Sequence, residues 1–422
     1  MARHLRVHFS KDLGFLDAVG LGIGFIVGSG IYIMPILTAQ AGGISLLAWV
    51  IGGIVSILTG LCFAECAIRI PKVGGLYAYA HQTLGDFWGF ITGYTFWLGY
   101  VVTIAAEILA ISWYISFFWE ADLLYRIGIG CVLAFFFTLI NYRGVNLGGK
   151  LEDFLTVGKL LPLLVFIAAA AFFFNPSKVF TAASNDSLSF IGVIILTLWA
   201  YQGVEIITVP EEEIKHAKKT VPKAIIVSVI TVMALYLLVA ASVLTLNWLP
   251  FASSQAPLAD LAKQTIGNTG AFILAIGGLL SILGSLNAVV LGSSRISYAM
   301  AKDNLFPKYF NHLHEKHNTP DHALWTHLAI AIVMSFLIQD FSKIAVLAVI
   351  FTLFPYLFSC IATLQIQKKK THVHSLLNNN QTIPLLATLV TLCLLGYSLY
   401  TNPYLPTLLL GVGIVGYAVA KP

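Results

Sequence analysis

DAVGLGIGFIVGSGIYIMPILT, residues 17–38, is apolar enough to lie in a membrane, yet it carries Gly20, Gly22, Gly24, Gly28 and Gly30. Val27-Gly28-Ser29-Gly30 falls at its middle, where an ordinary spanning helix needs no glycine cluster. Each glycine lowers helix stability by roughly 1 kcal/mol relative to alanine. A backbone break at membrane depth is tolerated only where it lines a cavity or is buried in protein. Such a break creates a helix N-terminus inside the membrane, whose free N–H groups and positive dipole end can hold a carboxylate. The same glycines would also serve close helix packing, as small residues often do in membranes. This stretch alone leaves both readings open.

Composition fixes the class. The 422 residues are 58% hydrophobic and 10% charged, with a mean hydropathy of +0.86, whereas a soluble domain carries about 25% charged residues. The chain reads as an all-α polytopic membrane protein. Its net charge of +5 reflects where basic residues sit relative to lipid, and no nucleic-acid partner is expected. All five cysteines (Cys62, Cys66, Cys131, Cys360, Cys393) fall in apolar stretches without metal-ligand spacing. Neither a disulfide framework, a metal nor a cofactor is expected, nor a disulfide-linked partner subunit. The basic start MARHLRVHFSKD lacks a small-residue cleavage site and reads as a cytoplasmic segment, 1–12, and not as a removable signal peptide.

At ~20 apolar residues per crossing, twelve transmembrane helices are predicted. They lie near 13–39, 44–68, 86–117, 124–141, 152–174, 188–209, 221–246, 269–299, 322–339, 342–366, 383–401 and 404–420. With the N-terminus cytoplasmic, nineteen Lys and Arg residues fall on that side. Only Arg126, Lys178, Lys263 and Lys343 fall on the other, and Lys159 lies within the membrane. The asymmetry places both termini in the cytoplasm. The short loops suggest a bacterial inner membrane. His312, His314, His317 and His322 gather in and beside the loop 302–321; such a cluster could hold a metal, but the plainer reading is a polar interfacial loop. Lys368-Lys369-Lys370, His372 and His374 read as a membrane-surface anchor.

The sixth segment, LTLWAYQGVEIITVPEEEIKHAKKTVPKAI, repeats the anomaly. Tyr201-Gln202-Gly203-Val204-Glu205 sets a glycine and two polar groups at mid-depth. An intramembrane carboxylate is costly and points to function. The breaks near 29 and 203 open the first helix of each five-helix half, 13–174 and 188–366. Five helices per half force opposite topologies, giving a 5+5 inverted repeat with 383–420 outside it. Corresponding breaks in two halves mark a secondary-transporter site.

Five stretches, GIGFIVGSGIY (22–32), LCFAECAIRIPKVGGLYAYAHQTLG (61–85), INYRGVNLGGKLEDFLTVGKLLPL (140–163), LWAYQGVEIITVPEEEIKHAKKTVPKAI (198–225) and LGSLNAVVLGSSRISYAMAKDNLFP (283–307), carry a resemblance. The chain resembles the amino acid–polyamine–organocation (APC) permeases over nearly its full length. One departure is His216-Ala217, where that family usually shows Asn-Pro. The resemblance implies a LeuT-like fold with discontinuous helices 1 and 6. It implies a central site between helices 1, 3, 6, 8 and 10, with backbone N–H groups around Ser29, Gly30 and Ile31 taking a substrate carboxylate. Carbonyls near Trp199, Ala200 and Gln202 would take the ammonium, and Val27, Gly28 and Gly203 would complete the substrate-binding breaks. Selectivity would fall to Thr103, Ala106, Glu107, Trp199, Asn287, Ala288 and Val289. Trp199 would cover the site, or else face lipid; Glu107 would select cationic substrates, or else pair within the bundle.

Lys159, in TVGKLLPL, is a proton-coupling candidate, because burial makes a lysine's protonation sensitive to its surroundings. In the resemblance, a helix-5 lysine takes the place where sodium-coupled relatives hold sodium. Glu152 and Asp153 are near enough for Lys159 instead to snorkel to the surface. Glu205 is the second proton candidate, or else a structural bond holding its break open. The expected activity is alternating-access transport of an amino acid or related amine, by proton symport or by exchange, as a monomer or homodimer. An intramembrane enzyme would need a base beside Ser29, and only His327 among the histidines falls inside a predicted span and not at its edge. A nutrient sensor would bring a sizeable cytoplasmic domain, and no loop is long enough to form one.

Overall fold

The computed structural model describes residues 14–70, 72, 74–181, 189–208, 214–368, 375–378 and 380–420. The proposed N-terminal segment 1–12 and the Lys369-to-His374 anchor lie outside the described residues. The regular elements described are all helical. They are α1 Phe15–Ile26, α2 Gly30–Ala39, α3 Ser45–Arg69, α4 Leu76–Leu84, α5 Asp86–Ile115, α6 Leu123–Arg143, α7 Val145–Ala171, α8 Pro176–Thr181, α9 Phe190–Tyr201, α10 Ala217–Thr245, α11 Pro257–Lys302, α12 Asp321–Ile338, α13 Phe341–Lys368, α14 Thr382–Thr401 and α15 Tyr404–Ala420.

Each predicted span coincides with a helix or a helix pair. Eight helices are long and apolar enough to cross a membrane, and α1 with α2 passes as a ninth, bent by 53°. Shorter apolar helices cover 155–171, 190–206 and 404–419. This is a multi-pass membrane protein. Three helical pieces were not predicted: α4, α8, and the first part of α11. That last piece meets the rest of α11 at Gly267, whose φ of 68° turns the chain before the predicted span begins. Apolar periodicity over a crossing length does not register such short segments.

The centre of the bundle is α5, 94% buried over its apolar span. It packs against α4, α6, α11, α12 and α13. At its margin, the fully buried Glu65 of α3 ties down the strand of chain before α14. Its Oε1 accepts from Arg69 Nε at 2.7 Å and Ser375 Oγ at 3.0 Å, and its Oε2 from the Leu376 amide at 2.7 Å. The five cysteines form no disulfide.

The two breaks pack on each other. α1 ends at Val27 in extended backbone, and α2 restarts from Ser29. α9 ends at Gln202, also extended, and Gly203 turns with φ of 106° into the 3-10 turn Val204–Thr208. A Cβ on Gly30 would lie 2.6 Å from Ala200 Cα, and one on Gly203 would lie 2.7 Å from the Phe25 carbonyl oxygen. Each half-helix end thus touches the other's backbone at a glycine. A left-handed φ and a backbone obstruction leave no tolerance at Gly203. Gly203→Ala is therefore expected to cost most of the folded yield and to lower the thermal unfolding midpoint in detergent. Gly20→Ala, in α1 where a Cβ meets nothing, should match or exceed the parent; equal melting of both variants would reject the reciprocal contact.

Candidate functional site

A cavity opens where the two breaks meet. Its wall comprises Phe25, Ile26, Gly28, Ser29 and Gly30 from the first break, and Trp199, Ala200, Gln202, Gly203, Glu205 and Ile206 from the second. Tyr100, Thr103 and Glu107 of α5 and Ser285, Ala288 and Val289 of α11 complete it. The α5 residues share one helix face, being spaced by three, four and seven, and on α11 Ala288 and Val289 lie three and four residues from Ser285 on one face.

Backbone groups freed by the breaks have two fates. Several carbonyls are met by protein. Tyr236 Oη of α10 lies 2.9 Å from the Ile26 carbonyl and 3.0 Å from that of Ala200, spanning both half-helix ends. Ser281 Oγ donates to the Gly28 carbonyl at 2.8 Å. Lys159 Nζ donates to the carbonyl of Gly24. The first amides of α2 have no partner within their own helix, and they begin at the cavity wall.

Two carboxylates face this space. Glu107, 1% exposed, accepts from Ser29 Oγ at 2.9 Å and from Ser285 Oγ at 2.7 Å, both on Oε1. Its Oε2 is buried with no hydrogen-bond partner among the described residues, and so is Gln202 Nε2. Glu205 is held differently. Tyr100 Oη donates to Oε1 at 3.0 Å, Tyr356 Oη to Oε2 at 2.6 Å, and the Gly203 amide to Oε2 at 3.1 Å. Glu205 therefore braces its own break against α5 and α13.

Lys159 is fully buried and does not snorkel. It stands behind the wall at the end of α1, and Tyr32 Oη donates to its backbone carbonyl at 2.6 Å. The side chains of Glu152 and Asp153 lie outside the described residues. Trp199 is 5% exposed and meets Phe341 edge to face, with centroids 5.9 Å apart.

Of the residues singled out from sequence, Gly28, Ser29, Gly30, Thr103, Glu107, Trp199, Ala200, Gln202, Gly203, Glu205, Ala288 and Val289 line the cavity; Val27, Ile31, Ala106 and Asn287 do not. Asn287 lies on the opposite side of α11 from Ser285, where its Oδ1 accepts from Asn141 Nδ2 at 2.9 Å. Ala106 is turned off the Thr103–Glu107 face. Tyr100 and Ser285 were missed, although the three-and-four spacing on their helices could have found them. His327 is not on the wall: Trp97 Nε1 donates to its Nε2 at 2.6 Å, and its Nδ1 lies 3.1 Å from Ser293 Oγ.

The sequence pattern of the amino acid permease family matches residues 13–413. The chain belongs to that family. The permease is 31% identical over 376 residues to the serine/threonine exchanger SteT of Bacillus subtilis, across 85% of this chain and 84% of that protein. It is 30% identical over 318 residues to an uncharacterized transporter, Rv1999c, of Mycobacterium tuberculosis, across 74% of this chain and 71% of that protein. An uncharacterized transporter of Mycobacterium bovis, Mb2022c, matches with the same figures.

An amino acid brings both the donors that Glu107 Oε2 lacks and the acceptors that Gln202 Nε2 lacks. A neutral hydrogen bond contributes about 1 kcal/mol net, roughly fivefold in affinity. Gln202→Ala deletes an amide nitrogen that has no partner among the described residues. It should weaken amino acid binding by about fivefold while leaving the melting midpoint of the substrate-free protein unchanged. Titration calorimetry beside a thermal melt checks both halves; a lowered midpoint with intact affinity would give Gln202 a structural role instead.

Proposed function

We propose that this permease is a secondary active transporter that carries amino acids by alternating access, with proton symport as its coupling. The observation that carries this reading is the cavity at two adjoining helix breaks, walled by an open helix N-terminus and by buried polar atoms without partners among the described residues. A zwitterion is complementary to such a site. Its carboxylate would take the amides of Ser29, Gly30 and Ile31 at the positive end of α2. Its ammonium would lie toward the C-terminal end of α9, near the carbonyls of Trp199, Ala200 and Gln202, within reach of Glu107. Backbone binding of this kind accepts any amino acid, so side-chain preference falls to Thr103, Trp199, Ala288 and Val289.

The same reading takes the twelve spans as a five-plus-five inverted repeat, 13–174 and 188–366, with 383–420 outside it. Both termini face the cytoplasm of a bacterial inner membrane, and the chain works as a monomer or homodimer and not as an enzyme. Trp199 against Phe341 would close one side of the cavity during the cycle.

Coupling rests on Lys159. Its ammonium grips the end of α1 through the Gly24 carbonyl. Loss of its proton would weaken that contact, so proton occupancy and the geometry of the first break would change together. Glu205 is the second candidate, although its bond to the Gly203 amide also suits a purely positioning role. Exchange of one amino acid for another is the second reading, and the 31% identity with a protein named as a serine/threonine exchanger favours it. Lys159 would then be a fixed charge.

Proteoliposomes separate the two. Uptake of labelled serine, threonine and other amino acids should rise with an inward proton gradient in sodium-free buffer. Lys159→Ala should lose that response while keeping its expression. Uptake indifferent to the gradient but dependent on internal amino acid would establish exchange, and no uptake of any amino acid would reject the transport reading.

A further inference from the structure

Away from the cavity, the chain between α11 and α12 brings three metal-ligating side chains together. His312 comes from the loop, and Asp321 and His322 from the first turn of α12. One donor atom from each lies within 4.8 Å of the other two. The His312 and His322 rings stack at 4.2 Å, and His322 stacks in turn on Tyr309 at 4.4 Å.

The surrounding bonds orient these donors. His322 Nδ1 lies 3.0 Å from the Tyr309 carbonyl oxygen and so donates to it, which leaves Nε2 with its lone pair. A backbone carbonyl on the second ring nitrogen is the usual outer partner of a metal-bound histidine. Asp321 Oδ1 sits 2.7 Å from His312 Nδ1 and also accepts from the His322 amide at 2.9 Å, which fixes the carboxylate. Two ligands on one tetrahedral zinc-like ion stand about 3.3 Å apart, given bonds of about 2.0 Å. The Asp321–His312 pair is within a small adjustment of that spacing.

We propose that His312, Asp321 and His322 form a binding site for one first-row divalent transition ion of the zinc type. The ion takes His312 Nδ1, whose proton moves to Nε2 of the same ring, together with the Asp321 carboxylate and His322 Nε2; the half-exposed His312 ring turns out of the parallel stack so that the two in-plane lone pairs converge. Three protein ligands leave a fourth position to water, the arrangement of an open site. Imidazole with a single carboxylate suits zinc, cobalt or nickel better than magnesium or calcium. His312 is about half exposed, so an ion can enter from solvent. The neighbouring His314–His317 stack differs. His314 Nδ1 already accepts from the amides of Lys316 and His317, so that pair is the internal control.

Tag-free, full-length permease in detergent, stripped by chelator, is titrated with Co2+ and then challenged with Zn2+. The proposal predicts one Co2+ per chain, visible absorption of a low-coordinate ion, and its displacement by Zn2+. His312→Ala and His322→Ala should each weaken binding at least about tenfold, and the double variant His314→Ala with His317→Ala should not. Absence of saturable binding in the intact protein overturns the proposal whatever the variants do. Binding that survives both His312→Ala and His322→Ala overturns it as well. Thermal melts accompany each variant; where an alanine variant melts early, His322→Gln and Asp321→Asn are read in its place, with the same expected loss and the same contradiction.

Discussion

Backbone polar groups inside a membrane must find partners, and the two helix breaks of this permease create a local surplus of them. Leaving one buried and unpaired costs about 1–3 kcal/mol, and more where lipid replaces water. Much of the surplus is absorbed by side chains from other helices: Tyr236 across both half-helix ends, Ser281 at Gly28, Lys159 at Gly24 and Glu205 at the Gly203 amide. The first amides of α2 begin at the cavity wall. Stability and the proposed ligand capture therefore draw on the same groups: Glu107 Oε2 and Gln202 Nε2, buried without a partner among the described residues, are what a ligand there would complete.

Close approach of the breaks is what concentrates these groups. It requires backbone against backbone, which only glycine permits at positions 30 and 203. The central helix α5 then supplies one polar stripe, Tyr100, Thr103 and Glu107, along the cavity. Through Tyr100 it reaches Glu205 and the second break; through Glu107 it reaches Ser29 at the first break and Ser285 on α11. A change at either break is thereby transmitted to α5, and α13 shares the load through Tyr356.

Much of this was legible in the sequence, for physical reasons that differ by residue. Glycines at membrane depth and a carboxylate in an apolar run are costly, so Gly28, Gly30, Gly203 and Glu205 announced themselves. Lys159 stood out in the same way, and its burial fits. Glu107 was visible as an acid in a long apolar helix, but its bonds to Ser29 and Ser285 were not, because no local pattern joins residues 78 and 178 positions apart. Asn287 misled through its polarity: it points to Asn141, away from the cavity, and only the helical spacing of Ser285, Ala288 and Val289 identifies the inward face. The helices α4 and α8 are too short to register as crossings. The gathering of His312 with His322 and Asp321 depends on how the loop folds back on α12, which composition does not encode.

The central claim is that an amino acid sits between the two breaks, with its carboxylate on the amides that open α2. A structure of the permease in lipid with a transported amino acid at saturation tests it most directly. The account predicts ligand density inside the cavity, its carboxylate within hydrogen-bond distance of the Ser29, Gly30 or Ile31 amides, and ligand atoms against Glu107 and Gln202. An amino acid bound elsewhere, with the cavity at the breaks empty, would contradict it.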